Sequence, residues 1–230
     1  MRVLLDILYP PLCLHCDATL EKNRTLFCTS CLELLSLIET SERCPCCFAE
    51  DPSPCARCIE RPVVIKKQAA ACAAFGPAYT LTTSLEMGQE QYIPAAASLM
   101  ALQWTTLHWP PPDYVAALPC SFWARCKKGG AVSYALAKAL SRALHIPLCA
   151  PLSAGFDWRG FRERAVFKPA FVLRKKQEIC DKRILLISLH LDDALLRAAG
   201  EALRAGFAKE VYALSFSDHM QIADFGEVKF

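Results

Sequence analysis

Four Cys-x-x-Cys pairs crowd into the first quarter of this 230-residue chain: Cys13/Cys16, Cys28/Cys31, Cys44/Cys47 and Cys55/Cys58. Two such pairs supply one tetrahedral set of thiolates, so four pairs supply two. A rubredoxin-like or zinc-ribbon module over residues 1–62 is the expectation. Disulfides are the alternative use of 14 cysteines. Against them stand the metal-ligand spacing and the lack of a signal-peptide pattern, since the opening apolar run is short and broken by Asp6. Tetrahedral S4 sites suit zinc or iron, and nothing points to redox work, so two structural zinc ions are expected. Four thiolates fill each site and leave no open position for water or substrate. Which pairs share an ion stays open, because sequential and interleaved pairings both fit. Cys46 reads as a bystander able to replace Cys47. Cys72, Cys120, Cys126, Cys149 and Cys180 read as small buried hydrophobes.

The formal charge of +3 falls to about −1 once eight thiolates surround two dications. Distribution says more. Residues 1–62 hold six basic and nine acidic side chains, whereas Arg125 to Arg183 hold fourteen basic and four acidic ones. A basic region beside an acidic module fits an anionic partner such as nucleic acid or a phosphorylated ligand, and also fits an ordinary solvated surface. The longest apolar stretch, Tyr92 to Trp109, carries Pro94, Gln103 and His108. It reads as an Ala-rich buried helix, not a membrane span. The expectation is a cytoplasmic protein without membrane insertion.

Beyond Arg61-Pro62 the pattern changes. Within the module a short helix is expected over Leu32 to Ile38, and beyond it extended chain from Val63 to Phe75, ending at Gly76-Pro77. Pro110-Pro111-Pro112 stops the Ala-rich helix. Strands follow at Tyr114–Leu118, Phe171–Leu173, Ile184–Leu189 and Val211–Phe216, with helices over Ala131–Leu144 and Asp193–Ala205, the last ended by Gly206. Strands alternating with amphipathic helices predict a Rossmann-like α/β domain with a parallel sheet over residues 63–230.

Several segments resemble the ComF family of competence-associated proteins, a double zinc ribbon fused to a type I phosphoribosyltransferase-like domain. Leu4-Leu5-Asp6-Ile7-Leu8-Tyr9-Pro10-Pro11-Leu12-Cys13 resembles the family's opening, and Cys44-Pro45 its second ribbon. Leu118-Pro119, Arg125 and Lys128-Gly129 resemble its segment "VP…R…RGFNQ". Arg183-Ile184-Leu185-Leu186-Ile187, the helix after it and Gly206 resemble the stretch carrying the phosphoribosyl-pyrophosphate (PRPP) motif. The resemblance implies a type I phosphoribosyltransferase kind of sheet and a role in DNA uptake, natural transformation or single-stranded DNA handling. A helicase or recombination protein is the implied partner.

The departures bear on catalysis. In the family's active relatives the central strand ends in two acidic residues, followed by a Thr-Thr-Gly-Ala-Thr-like loop that cradles a phosphate at a helix N-terminus. Here Ser188 and Leu189 replace the acidic pair, Asp192 and Asp193 the threonines, and Ala194 the glycine. In a displaced register Asp192 and Asp193 would be the acidic pair, but too little chain then remains before Gly206 for a phosphate loop and a helix. Either aspartate would cap the helix and repel a phosphate. Glu86 stands near the family's Lys, and Ala131-Val132 replaces its Asn-Gln. The family's glycine after each first Cys pair is Asp17 in one ribbon and Phe48 in the other, and Phe tolerates the left-handed turn poorly. His190 is assigned no catalytic role.

Arg125, Lys127 and Lys128, with Trp158, Arg159, Arg162 and Arg164 in a second aromatic-basic stretch, are the candidate nucleic-acid or phosphate contacts. The same letters also describe a loop packing its aromatics on the domain. The expectation is a non-catalytic protein with neither magnesium nor a small-molecule substrate. Its zinc module docks a partner and its basic domain meets nucleic acid. An active phosphoribosyltransferase with an atypical loop and a structural adaptor for a replication or recombination protein are the alternatives.

Overall fold

The structure is a computed structural model that describes residues 10–20, 26–50, 55–60, 63–119, 132–154, 171–174 and 176–218. Its centre is a five-stranded parallel sheet: β1 (Lys67–Ala73), β2 (Tyr114–Ala117), β3 (Leu148–Cys149), β6 (Arg183–His190) and β7 (Glu210–Asp218). The spatial order is β1-β7-β6-β2-β3. A separate antiparallel pair joins β4 (Leu152–Ala154) to β5 (Phe171–Leu173).

Period-two alternation divides the core between the two faces. Leu185, Ile187 and Leu189 of β6, with Tyr212, Leu214 and Phe216 of β7, face one apolar cluster. Ile184, Leu186, Val211 and Ala213 face the other. Burial on both faces explains why these strands read as continuous apolar runs. The first face is covered by α3 (Gly76–Glu86), α4 (Ile93–Leu107) and α5 (Val132–Leu144). The second is covered by α7 (Asp193–Ala205), the β4/β5 pair and the short α6 (Lys176–Ile179).

The Cys-rich segment contributes α1 (Thr29–Glu33) and α2 (Ala56–Ile59). It does not stand apart: Cys13, Leu20, Phe27, Cys31 and Phe48 belong to the first face's apolar cluster. It also covers the free edge of β1, where Ile38 N donates to Ala71 O at 3.0 Å and Gln68 N to Pro45 O at 3.2 Å. An uncovered edge strand is a template for pairing with other chains. The alanines of β1 suit a strand enclosed on both faces and along that edge.

Three sequence expectations give way. The helix expected over Leu32–Ile38 lies earlier, at Thr29–Glu33, because the chain must straighten by Ile38 to bond Ala71. Gly76-Pro77, read as the end of an extended run, instead opens α3, with Gly76 at φ 52° and Pro77 in the first turn. The third is Cys180, which is exposed and not the buried small hydrophobe expected. The end of α7 falls where expected. Gly206 is its C-cap with φ −87°, while the left-handed residue is Phe207, at φ 64°.

Phe207 N bonds Arg204 O at 2.9 Å and Ala208 N bonds Leu203 O at 3.2 Å, a Schellman closure with phenylalanine where glycine is usual. The glycine stands one residue earlier for a steric reason. A Cβ at position 206 would lie 2.4 Å from Leu173 Cδ2 and 2.9 Å from Ile179 Cδ1. Gly206→Ala is therefore expected to destabilise by about 1–3 kcal/mol, the usual cost of overpacking. Urea denaturation checks this; an unchanged midpoint would show that Leu173 and Ile179 yield freely.

Candidate functional site

The eight paired cysteines come together as two sets of four. Cys13, Cys16, Cys28 and Cys31 form the first, and Cys44, Cys47, Cys55 and Cys58 the second, with all Sγ atoms of a set within 4.8 Å of one another. Pairing is thus sequential, which the spacing alone left open. Cys16 and Cys28 sulfurs lie 3.6 Å apart, Cys44 and Cys58 3.8 Å, Cys47 and Cys55 3.3 Å. A tetrahedral ion with bonds of about 2.3 Å places its sulfurs about 3.8 Å apart, so both sets fit such an ion.

Each first pair is a tight turn. Asp17 N bonds Cys13 O and Cys13 N bonds Ala18 O; likewise Phe48 N bonds Cys44 O and Cys44 N bonds Ala49 O. Burial acts to raise the Cys13 thiol, but the backbone N–H groups of Cys16, Cys28 and His15 outweigh it and take the pKa to about 6. Cys44 also settles at about 6, where the N–H groups of Cys47 and Cys46 overcome burial. These donors favour thiolates, the form that ligates. Cys46 lies outside the second set.

Phe48 takes the left-handed turn after all, at φ 60°, matching Asp17 at 56°. Its surroundings offset the strain. The ring is buried, and the Arg43 guanidinium lies over it at 4.8 Å. Arg43 also donates to Phe48 O at 3.0 Å, to Glu50 at 2.8 Å and to Asp218 Oδ2 at 2.9 Å. The Arg43 and Asp218 side chains are only 7% and 1% exposed. This buried pair ties the second knuckle to the end of β7.

The strand order reverses between β2 and β6, since β2 leads outward to β3 and β6 leads the other way to β7. In open parallel sheets the crevice at the carboxyl ends of such strands is where ligands bind. Here the β6 wall is closed. Only Leu191 and Asp192 separate β6 from α7. Asp192 is the N-cap, its Oδ1 accepting from Leu195 N at 3.0 Å, and Asp193 accepts from Gln68 Nε2 at 3.2 Å. Ser188 and Leu189 are buried, and Ala194 lies in the first turn of α7.

The rows facing α7 turn polar at this end, and their side chains bond among themselves. Ser188 Oγ contacts Ser215 Oγ at 2.7 Å and donates to His190 O at 2.8 Å. Ser217 Oγ donates to Leu189 O at 3.2 Å and meets His190 Nδ1 at 3.1 Å. Glu86 reaches His190 Nε2 at 2.7 Å. Sequence reasoning missed this pairing of Glu86 with His190, and also Gln68 with Asp193. Neither partner is near in sequence, and only the serines at 188, 215 and 217 in apolar strands gave a signal.

Arg125, Lys127, Lys128, Trp158, Arg159, Arg162 and Arg164 lie outside the described residues, as do Cys120 and Cys126. No helix among the described residues is long and apolar enough to cross a membrane.

No family model matches this chain, and no curated protein matches it. Solved structures similar to it include an allosteric regulatory enzyme of purine biosynthesis, at 17% identity and TM-score 0.34 over 59% of this chain and 26% of that one. Hypoxanthine-guanine phosphoribosyl transferase from L. donovani is similar at 14% identity and TM-score 0.33, over 60% and 71%. Purine phosphoribosyltransferase from Pyrococcus horikoshii gives 16% and 0.33, over 54% and 80%. The chain thus spans about a quarter of the length of the first of these and 71% of the second.

Proposed function

We propose that this chain is a ComF-like protein: a zinc-stapled, phosphoribosyltransferase-like scaffold that has lost transferase chemistry and handles single-stranded DNA in the cytoplasm. The observation that carries the first half is the β6–α7 junction. A phosphate seated at a helix N-terminus needs free N–H groups and room. Here the link is two residues long, Leu195 N is taken by Asp192, and two carboxylates occupy the positive end of the helix dipole. At 4 Å each carboxylate repels a phosphate charge by roughly 1 kcal/mol in water, and by more in a crevice. Ser188 and Leu189 offer no carboxylate for ribose hydroxyls or for Mg²⁺.

The two sulfur tetrads support structural zinc, four thiolates leaving no coordination site for chemistry. The role in DNA handling rests on the resemblance and on the excess of basic side chains between Arg125 and Arg183. Calorimetric titration of the zinc-loaded protein with PRPP and Mg²⁺ is expected to give no heat of binding. Micromolar affinity would return the active phosphoribosyltransferase reading to first place.

A further inference from the structure

The end of the sheet away from the crevice carries features that neither the fold nor the closed junction explains. Phe207 is 72% exposed, more than any other large apolar side chain among the described residues, and it projects from a left-handed position. A bulky residue held there with its ring in water is an outlier that glycine would relieve. The start of β6 lies beside it: Asp181 N bonds Phe207 O and Lys209 N bonds Lys182 O, both at 2.9 Å.

The cations of this edge divide into two groups. Lys66 pairs with Glu210, and Arg183 lies 3.7 Å from Asp113. Arg204 donates to the carbonyls of Ala208 and Lys209. Lys182 and Lys209 are exposed, and no carboxylate pairs with either among the described residues. Asp181 is the exposed acid of the turn, one carboxylate against two ammonium groups.

We propose that Phe207, Lys182 and Lys209 form a contact for single-stranded nucleic acid, with the ring stacked on one base and the two lysines on neighbouring phosphates. The proposal rests on the reading that the protein handles single-stranded DNA, and it adds a place where the strand is held. A protruding ring presents a flat face that any base can cover. Each lysine stands one residue before its strand, and the Lys209 N to Lys182 O bond keeps the two backbones about 4.8 Å apart, so their four-carbon stems let the charges reach successive phosphates. A peptide side chain would want a pocket, and this surface is a knob.

The test is fluorescence anisotropy on the full-length, zinc-loaded protein, with labelled oligothymidine and an abasic strand of equal length over a salt series. Phe207→Gly is expected to raise the thermal midpoint by a few degrees, because glycine fits the left-handed turn. The same variant weakens oligothymidine binding roughly 5- to 150-fold, the range for loss of one stacked base, and leaves the abasic strand unaffected. Lys182→Ala with Lys209→Ala weakens both strands and lowers the log–log salt slope by about 1.4, at about 0.7 per phosphate contact.

If wild type binds oligothymidine and these variants bind equally well, this surface is wrong while the DNA reading stands. Failure of the wild type to bind at low salt removes both. Phe207-dependent binding to anionic vesicles without binding to oligothymidine makes the surface a membrane contact and overturns the proposal.

Discussion

Cys13→Ser is expected to lower zinc content from two equivalents to one and to bring down more than its own knuckle. Structural zinc in small modules supplies about 10–16 kcal/mol of apparent binding free energy, which is folding free energy where no site exists in the unfolded chain. The first tetrad is not isolated: Cys13 and Cys31 lie in the same apolar cluster as Leu185, Leu214 and Phe216. His15 also meets Thr80 on α3 at 2.9 Å. Loosening the knuckle therefore exposes the covered face of the sheet. For a chain this long each kcal/mol is worth about 2–4 °C. The thermal midpoint should fall by roughly 10 °C or more, read by circular dichroism beside elemental analysis for zinc. Two zinc equivalents retained by the variant would contradict the assignment.

Arg43→Met is the second large effect. It strips the buried Asp218 carboxylate of its guanidinium and takes the cation from the Phe48 ring. Breaking a buried ion pair from one side costs about 3–5 kcal/mol, because the remaining charge stays desolvated. Adding Asp218→Asn should recover a substantial part by removing that charge. Denaturant unfolding of the single and double variants gives the comparison. A single variant as stable as wild type, or a double variant no better than the single, would show that this pair does not fasten the second knuckle.

The cysteine spacing is legible because metal ligation demands it: a pair two residues apart can close on one ion without help from the rest of the fold. Which pairs meet is decided by tertiary structure, and no local signal carries it. β1, β2, β5, β6, β7 and α7 were readable from apolar runs and helical periodicity, whereas the very short β3 and β4 were not. α3 was not, since Gly76-Pro77 serves equally to end a strand and to begin a helix. Gly206 was read as the end of α7, which it is, but its close approach to Leu173 and Ile179 carries no local signal. At Phe48 the sequence suggested a poor turn. The compensating Arg43 is five residues away, and its anchor Asp218 lies 175 residues from Arg43. The self-capped start of α7 could be read from Asp192 and Asp193, but the links of Glu86 with His190 and Gln68 with Asp193 needed distant chain.

The placement of β1 has a kinetic consequence. Its hydrogen-bonded neighbour in the sheet is β7, and Lys67 finds Tyr212 only 145 positions later. At a synthesis rate of about 5–20 residues per second, that partner leaves the ribosome roughly 7–30 s afterwards. Throughout that interval the knuckle segment around Ile38 and Pro45 is, among the described residues, the part already made that bonds the nascent strand's backbone. Metal capture during translation would then act as a chaperone for the strand, and zinc starvation should show first as aggregation of newly made chains.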